Sequence, residues 1–303
     1  MSPSRWCCGF LVPLLFSGAP LSMASEGGGS NAPLGVGTLA PAILPPQGAY
    51  QLYGYILHYS SSSIRNRDGS NSTANVELNS YAQALRMVHT WDREGDSNVN
   101  FGTGITLAMG RGEIVTQSLS EGKNGLSQVY FTPLYVSWSP MDTLRLLTGF
   151  GTIIPVGDYD KKDAMNVTTN YASYVQDFGL TWFPTKDWEI SVAPSFYFNS
   201  RNNDTGYRSG VLMNADFGVN YRLPKYSNFQ LGIGGHITRQ LTDDQYDGRD
   251  VPGGYRLSKI AVGPQLVYFF NPATAILFKW LKETEVKNGP KGDSLWFEFT
   301  LPI

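Results

Sequence analysis

The chain has few cysteines, and both lie near its start. Cys7 and Cys8 are the only two. They belong to a segment in which Arg5 precedes the apolar residues 6–16 and the small residues of Ser22-Met23-Ala24 follow. This pattern predicts a secretory signal peptide over residues 1–24. The exported chain would contain no thiol, which suits an oxidising compartment and excludes thiolate nucleophiles and thiolate metal sites.

Long apolar runs and an excess of one charge are also missing. After the first segment no apolar run reaches the roughly 18–20 residues that a membrane-spanning helix needs. The 23 basic residues nearly balance the 25 acidic ones, which argues against a nucleic-acid partner. Charged residues are 16% of the chain, below the roughly 25% of soluble domains.

What the chain has is alternation. In residues 99–110, Val99, Phe101, Ile105, Leu107 and Met109 alternate with small or polar residues. Residues 295–303 repeat this pattern at the C-terminus. Elsewhere the opposite faces of long strands carry Arg, Asp, Asn and Gln, which suits lipid outside and water inside. We therefore predict an all-β fold, a transmembrane outer-membrane β-barrel of antiparallel strands, rather than a soluble sandwich.

Twelve strands are predicted, and their connections alternate between short and long. The expected ranges are 49–60, 78–91, 98–110, 125–138, 142–154, 168–183, 187–199, 206–223, 227–241, 254–270, 273–286 and 293–303. Short turns near residues 140, 185, 225 and 272 would face the periplasm. Long loops such as 60–76, 111–124, 155–167 and 242–253 would face outward. An even strand count places both ends of the barrel in the periplasm.

Four tryptophans support this orientation. Trp91, Trp138, Trp182 and Trp188 lie within a few residues of predicted short turns and share faces with apolar neighbours. Amphipathic rings concentrate at membrane interfaces, so these residues predict an aromatic belt at one end of the barrel.

Some residues do not fit regular strands. Pro133, Pro194 and Pro264 fall inside predicted strands, where a closed barrel has no free edge for proline. We expect bulges or kinks at these positions. Gln128 falls on a face otherwise assigned to lipid, which indicates either an interface position or a local register slip.

The segment before the first strand lacks periodicity. Residues 25–48 contain three consecutive glycines and Pro45-Pro46, which predict irregular structure. The expected organisation is thus a signal peptide (1–24), an irregular segment (25–48) and a barrel (49–303). If the irregular segment enters from the periplasmic side, it could fill part of the lumen as a plug.

The polar faces of the strands give candidate lumen-lining, ligand-binding residues. An Arg facing lipid at the midplane would cost about 2–4 kcal/mol, so the polar sets are expected to face inward. The candidates are Glu189, Tyr197, Arg208, Asn214, Asp216, Asn220, Arg222, Gln230, His236, Gln240, Lys259, Gln265 and Lys279. The alternative is that these groups merely pair with one another. A lining of both signs predicts no strong anion or cation selectivity.

Two patterns could indicate other chemistry. His58 with Ser60, and His236 with Thr238, each share a strand face, as the dyad of an outer-membrane lipase or esterase would. An acidic cluster in the loop 243–250 could bind calcium through oxygen ligands, but its spacing matches no standard calcium loop. We therefore predict no catalytic residue, no metal site and no cofactor.

From residue 48 onward, the chain resembles the outer-membrane protein family of the meta-pathway of phenol degradation. The resemblance lies in residues 132–138 (TPLYVSW), 155–160 (PVGDYD), 199–210, 240–244 (QLTDD) and 262–264 (VGP). It implies a barrel transporter associated with the degradation of aromatic compounds.

Together these features predict a non-enzymatic barrel for passive uptake of small hydrophobic or aromatic compounds, linked to phenol degradation. Its expected location is the outer membrane of a Gram-negative cell, in contact with lipid and lipopolysaccharide and inserted by the barrel-assembly machinery. The alternatives are an outer-membrane lipase or esterase and a non-conducting structural barrel.

Overall fold

A computed structural model of the chain describes residues 26, 30–95 and 98–303. The predicted signal peptide lies outside these residues. The strands are β1 (Tyr50–Arg65), β2 (Val76–Thr90), β3 (Val99–Thr116), β4 (Ser120–Met141), β5 (Leu144–Pro155), β6 (Ser173–Thr185), β7 (Trp188–Asn199), β8 (Tyr207–Arg208), β9 (Leu212–Leu223), β10 (Tyr226–Gln240), β11 (Gln245–Tyr246), β12 (Arg249–Asp250), β13 (Ser258–Asn271), β14 (Thr274–Lys287) and β15 (Gly289–Pro302). In the described ranges, no helix has the length and apolarity needed to cross a bilayer.

Twelve of these strands form one closed antiparallel barrel, which confirms the predicted fold. Each barrel strand pairs with the next one along the chain, and β1 pairs with β15 to close the wall. The three short strands β8, β11 and β12 form a separate sheet in the loops at one end. Closure satisfies the backbone groups of every barrel strand, so no sheet edge is left facing lipid.

The outer face of the wall is apolar. Leu85, Phe150 and Ile233 point away from the barrel and are 53%, 51% and 56% exposed. Trp91, Trp182 and Trp188 lie at the short-turn end and are among the exposed large side chains. Exposed apolar side chains over a whole barrel, with aromatic rings at one rim, are the arrangement that a lipid bilayer requires.

Several predicted boundaries differ from the structure. The strand predicted over 206–223 begins only at Leu212, because Tyr207 and Arg208 pair with β11 and not with the barrel. The strand predicted over 168–183 begins at Ser173. The long loop predicted over 111–124 is wrong: β3 and β4 continue their pairing up to Val115 and Ser120 and form a tall hairpin.

The prolines behave in two ways. Pro133 lies at a bulge, as predicted, since the pairing of β4 with both neighbouring strands shifts register there. Of the bulge or kink expected at Pro194 and Pro264, the structure shows no bulge. Pro194 pairs in register with Ala215, and Pro264 with Ile233. On the opposite neighbouring strand, β6 for Pro194 and β14 for Pro264, the pairing is interrupted for two residues and resumes in the same register. This interruption accommodates the N–H group that proline lacks.

The predicted register of Gln128 slips locally. A shift in the β3–β4 pairing lies beside it, and its Nε2 donates to the carbonyl of Asn31 at 3.2 Å. Asn31 belongs to the segment before β1, which lies inside the barrel, so Gln128 faces the interior.

Candidate functional site

The segment before β1 runs through the barrel interior, and we call residues 30–48 the lumen segment. Near the long-loop end, Nδ2 of Asn31 donates to Oγ of Ser173 at 2.8 Å. Near the short-turn end, Oγ1 of Thr90 donates to the carbonyl of Pro45 at 2.8 Å. The lumen segment therefore extends from one end of the barrel to the other before the chain enters β1.

Two carboxylates of the wall hold the middle of the lumen segment. Asp216 accepts hydrogen bonds from the backbone N–H groups of Gly35 at 2.8 Å and Gly37 at 2.7 Å. Glu189 accepts from the backbone N–H of Ala40 at 2.8 Å. Gly37 is needed for close approach, since a Cβ there would lie 2.8 Å from the Cβ of Ala193. These carboxylates thus satisfy backbone N–H groups of the lumen segment, which forms no strand and would otherwise bury them without a hydrogen bond.

Thr38 lies at the centre of a second group of contacts. It is fully buried, and its hydroxyl accepts from Nζ of Lys279 at 3.1 Å. Its carbonyl accepts from Asn220 and Gln265, each at 3.4 Å. Lys279 also pairs with Glu298 at 2.5 Å, so its charge is balanced by the wall itself.

Most predicted lining residues point inward and are buried. These are Glu189, Tyr197, Asn214, Asp216, Asn220, Gln230, His236, Gln240, Lys259, Gln265 and Lys279. Many of them contact one another or the lumen segment, and a role in guiding a solute stays a prediction.

The two predicted arginines lie towards opposite ends of the barrel, and only Arg208 is outside the lumen. Arg208 is on β8 in the loop sheet, exposed, where it lines a cavity of about 390 Å³ with Asp243 and Arg256. The prediction that Arg208 lines the lumen is wrong, because the alternation of β9 continues into the loop that precedes Leu212. Arg222 faces the barrel interior near the short-turn end, where it pairs with Gln230 and lies 4.8 Å above the ring of Phe269.

The two histidine–hydroxyl pairs that the sequence offered as lipase dyads make other contacts. His58 stacks on Tyr81 at 4.4 Å, and its partner ring is on the exposed outer face. Nδ1 of His236 is 3.0 Å from Oγ1 of Thr238, but this hydroxyl donates its hydrogen to Asn214 at 2.8 Å. The hydroxyl therefore has no proton to give to His236 in this arrangement.

The acidic residues of loop 243–250 each bind a different partner. Asp243 pairs with Arg256, and Asp247 with Arg201. Asp244 is fully buried and accepts from the hydroxyl of Tyr207 at 2.5 Å. Burial and the neighbouring Asp244 carboxylate raise the pKa of Tyr207. Within the described part of the chain, no three His, Cys, Asp or Glu side chains are grouped to hold a metal ion.

Sequence reasoning missed a cluster of tyrosines around Arg86. The guanidinium carbon of Arg86 lies 5.4 Å from the ring centre of Tyr53 and 5.3 Å from that of Tyr135. Arg86 also donates to the hydroxyl of Tyr135 at 3.0 Å. One signal could have identified it: Arg86 stands between Leu85 and Met87 in a strand, and a charge between two lipid-facing residues must point inward.

Comparison with known proteins agrees with this architecture. The family model described as "Putative MetA-pathway of phenol degradation" matches residues 61–299. The COG4313 outer membrane channel from Pseudomonas putida F1 superposes with a TM-score of 0.76 at 19% identity, covering 86% of this chain and 98% of that one. The beta domain of the Bordetella autotransporter BrkA superposes with a TM-score of 0.50 at 12% identity, covering 84% and 100%. No curated protein matches the sequence significantly.

Proposed function

This chain belongs to the family of the putative MetA-pathway of phenol degradation, and we propose that it is an outer-membrane channel for passive uptake of small hydrophobic or aromatic compounds. Its barrel has the fold of a solved outer membrane channel. We propose a route through the lumen that needs no cofactor and no energy input. The chemistry of phenol degradation would then belong to other proteins, which receive the solute after passage.

The observation that carries this proposal is the partial exposure of inward-facing aromatic side chains. Tyr53, Tyr55 and Tyr130 face the barrel interior, yet each keeps accessible surface although the lumen segment is present. Tyrosine combines an apolar ring with a polar tip, so such a wall suits a solute that is aromatic and only slightly polar. We propose that the lumen segment narrows the route and thereby excludes larger solutes.

A liposome experiment tests the proposal. Liposomes that contain the purified protein should take up radiolabelled benzoate faster than protein-free liposomes. Benzoate is the sharper probe because neutral phenol crosses lipid unaided. Uptake no faster than in protein-free liposomes would contradict the proposed channel.

The same preparation separates a channel from an enzyme. A channel with both His58→Gln and His236→Gln should retain benzoate uptake within a few-fold, since neither ring transfers a proton. A dyad esterase should lose most of its rate, because general-base assistance contributes about 10²–10⁴-fold. Ester or phospholipid hydrolysis that disappears in the double variant would overturn the non-enzymatic assignment.

A further inference from the structure

We propose that Arg86 and the tyrosines around it form a binding subsite for the carboxylate of an aromatic acid. The inference rests on the proposed channel function and names a solute class within it: monoanionic aromatic carboxylates. It depends on three features of the cluster: a cation without an ion-pair partner, the accessible surface that this cation keeps, and tyrosine rings positioned by the wall.

The charge of Arg86 is not balanced by a carboxylate. Among the described residues, the inward-facing lysines are paired, Lys259 with Glu283 at 2.7 Å and Lys279 with Glu298 at 2.5 Å. Arg86 forms no such ion pair with a described residue, and it donates to the neutral hydroxyls of Tyr135, at 3.0 Å, and Tyr55. A guanidinium offers five N–H donors, so most of its donors remain available.

Asp177, an acidic residue that contacts Tyr130 of this wall, is also bonded to neutral partners. Oδ2 of Asp177 accepts from the hydroxyl of Tyr130, and Oδ1 accepts from Oγ of Ser195 at 2.6 Å. Asp177 makes no ion pair with Arg86. The wall therefore carries a positive and a negative group that are held apart, and Asp177 would disfavour a ligand with more than one negative charge.

Arg86 keeps accessible surface on its side of the barrel, although Ala42 and Leu44 of the lumen segment pack against Tyr135 there. The hydrogen bonds at the centre of the lumen segment go to β7, β9, β13 and β14, through residues such as Glu189 and Asp216. Arg86 and Tyr53 lie on β2 and β1 and make none of these bonds. Both side chains stay partly accessible although they face inward.

Glycines of β3 and β5 hold the tyrosine rings flat against the wall. A Cβ at Gly149 would lie 2.5 Å from the ring of Tyr135, and a Cβ at Gly104 would lie 2.9 Å from it. A Cβ at Gly151 would lie 2.7 Å from the ring of Tyr130. Side chains at these three positions would displace both rings, so the glycines fix the positions of Tyr130 and Tyr135.

This combination selects a planar monoanion with an aromatic body. A guanidinium binds a carboxylate through two parallel N–H···O bonds, and such a pair is stronger where water is partly excluded. The rings of Tyr53 and Tyr55 keep accessible surface, on which a second ring can stack. A phosphate group, with two charges, would need further cations that the other lysines cannot supply because they are paired.

Binding and transport are measured separately to test this. Equilibrium dialysis of the detergent-solubilised full-length barrel compares benzoate with benzamide, its neutral isostere. We expect wild type to bind benzoate at least tenfold more tightly than benzamide. Arg86→Gln should weaken benzoate binding tenfold or more and leave benzamide unchanged, whereas Arg86→Lys should lie between. Lys186→Gln, in an exposed turn, is the matched control for net charge.

Each outcome decides one claim. Equal affinity of wild type for benzoate and benzamide would overturn the subsite, and this test needs no variant. Benzoate binding that Arg86→Gln leaves unchanged, in a variant whose heat-modifiable migration shows a folded barrel, would also overturn it. If benzoate binds as expected but liposome uptake fails, the subsite stands and the channel function is wrong. If uptake occurs without preferential benzoate binding, the channel stands and the subsite is wrong.

Discussion

One oxygen of the Asp216 carboxylate accepts a hydrogen bond from the backbone N–H of Gly35 at 2.8 Å, across 181 positions of sequence. The contact joins the middle of the wall to the middle of the lumen segment. Since a hydrogen bond to a charged group contributes about 1.5–3 kcal/mol, this carboxylate is a main determinant of where the segment lies.

Weakening that attachment should make the lumen more permeable. Asp216→Asn keeps the shape of the side chain but removes the charge that the Gly35 and Gly37 amides contact. We expect a higher mean single-channel conductance and more frequent current fluctuations in planar bilayers. Asp142→Asn, in an exposed turn, is the control and should conduct like wild type. Identical conductance of both variants would mean that the segment is held by other contacts.

Chemical labelling tests the orientation of the barrel. Ser118 lies at the tip of the β3–β4 hairpin, and Lys186 lies in the turn between β6 and β7 at the opposite end. A membrane-impermeant maleimide applied to whole cells should label Ser118→Cys and not Lys186→Cys, while lysed cells should label both. The native cysteines do not interfere if the signal peptide is removed. Labelling of Lys186→Cys alone in whole cells would invert the proposed orientation.

Adjacent residues of β3 test which face contacts lipid. Leu107 points outward and is 41% exposed, and Ala108 points inward. Leu107→Arg should impair assembly, because an Arg near the bilayer midplane costs about 2–4 kcal/mol. Ala108→Arg should assemble, since it reaches an aqueous interior lined there by small residues. Heat-modifiable migration on a gel measures folding, and equal defects in both variants would refute this assignment of faces.

The buried Asp244 should control the order of the external loops. It accepts hydrogen bonds from Tyr207, the backbone of Gly210 at 2.7 Å and Gln240 at 2.7 Å. Asp244→Ala leaves these donors unpaired, so we expect faster proteolysis in loops 200–211 and 241–257 of intact cells while the barrel stays folded. The exposed Asp250→Ala is the control. Unchanged cleavage in Asp244→Ala would show that the loop sheet holds without it.

The wall and most of its inward-facing residues were predictable from the sequence, and the contacts that fix the lumen segment were not. Alternation such as that of residues 99–110 is a local property, and it indicated the twelve strands and their outward faces. The path of residues 30–48 is set by contacts such as Ala40 with Glu189, which are 149 positions apart and leave no periodic trace. For Arg208 the local pattern was misleading. The alternation of β9 extends upstream of Leu212, but the chain there lies outside the wall and pairs with β11.

Closure of the wall between β1 and β15 has a consequence for biogenesis. The ring of strands surrounds residues that precede all of its strands, so the polypeptide encloses its own leading portion. Two routes lead to that state: the sheet curls around a peptide already docked on it, or the peptide threads into a finished ring. On the first route Asp216 acts as a template before closure. On that route, closure of the barrel is coupled to the placement of a peptide that has no strand or helix of its own, and on the second route this placement follows closure.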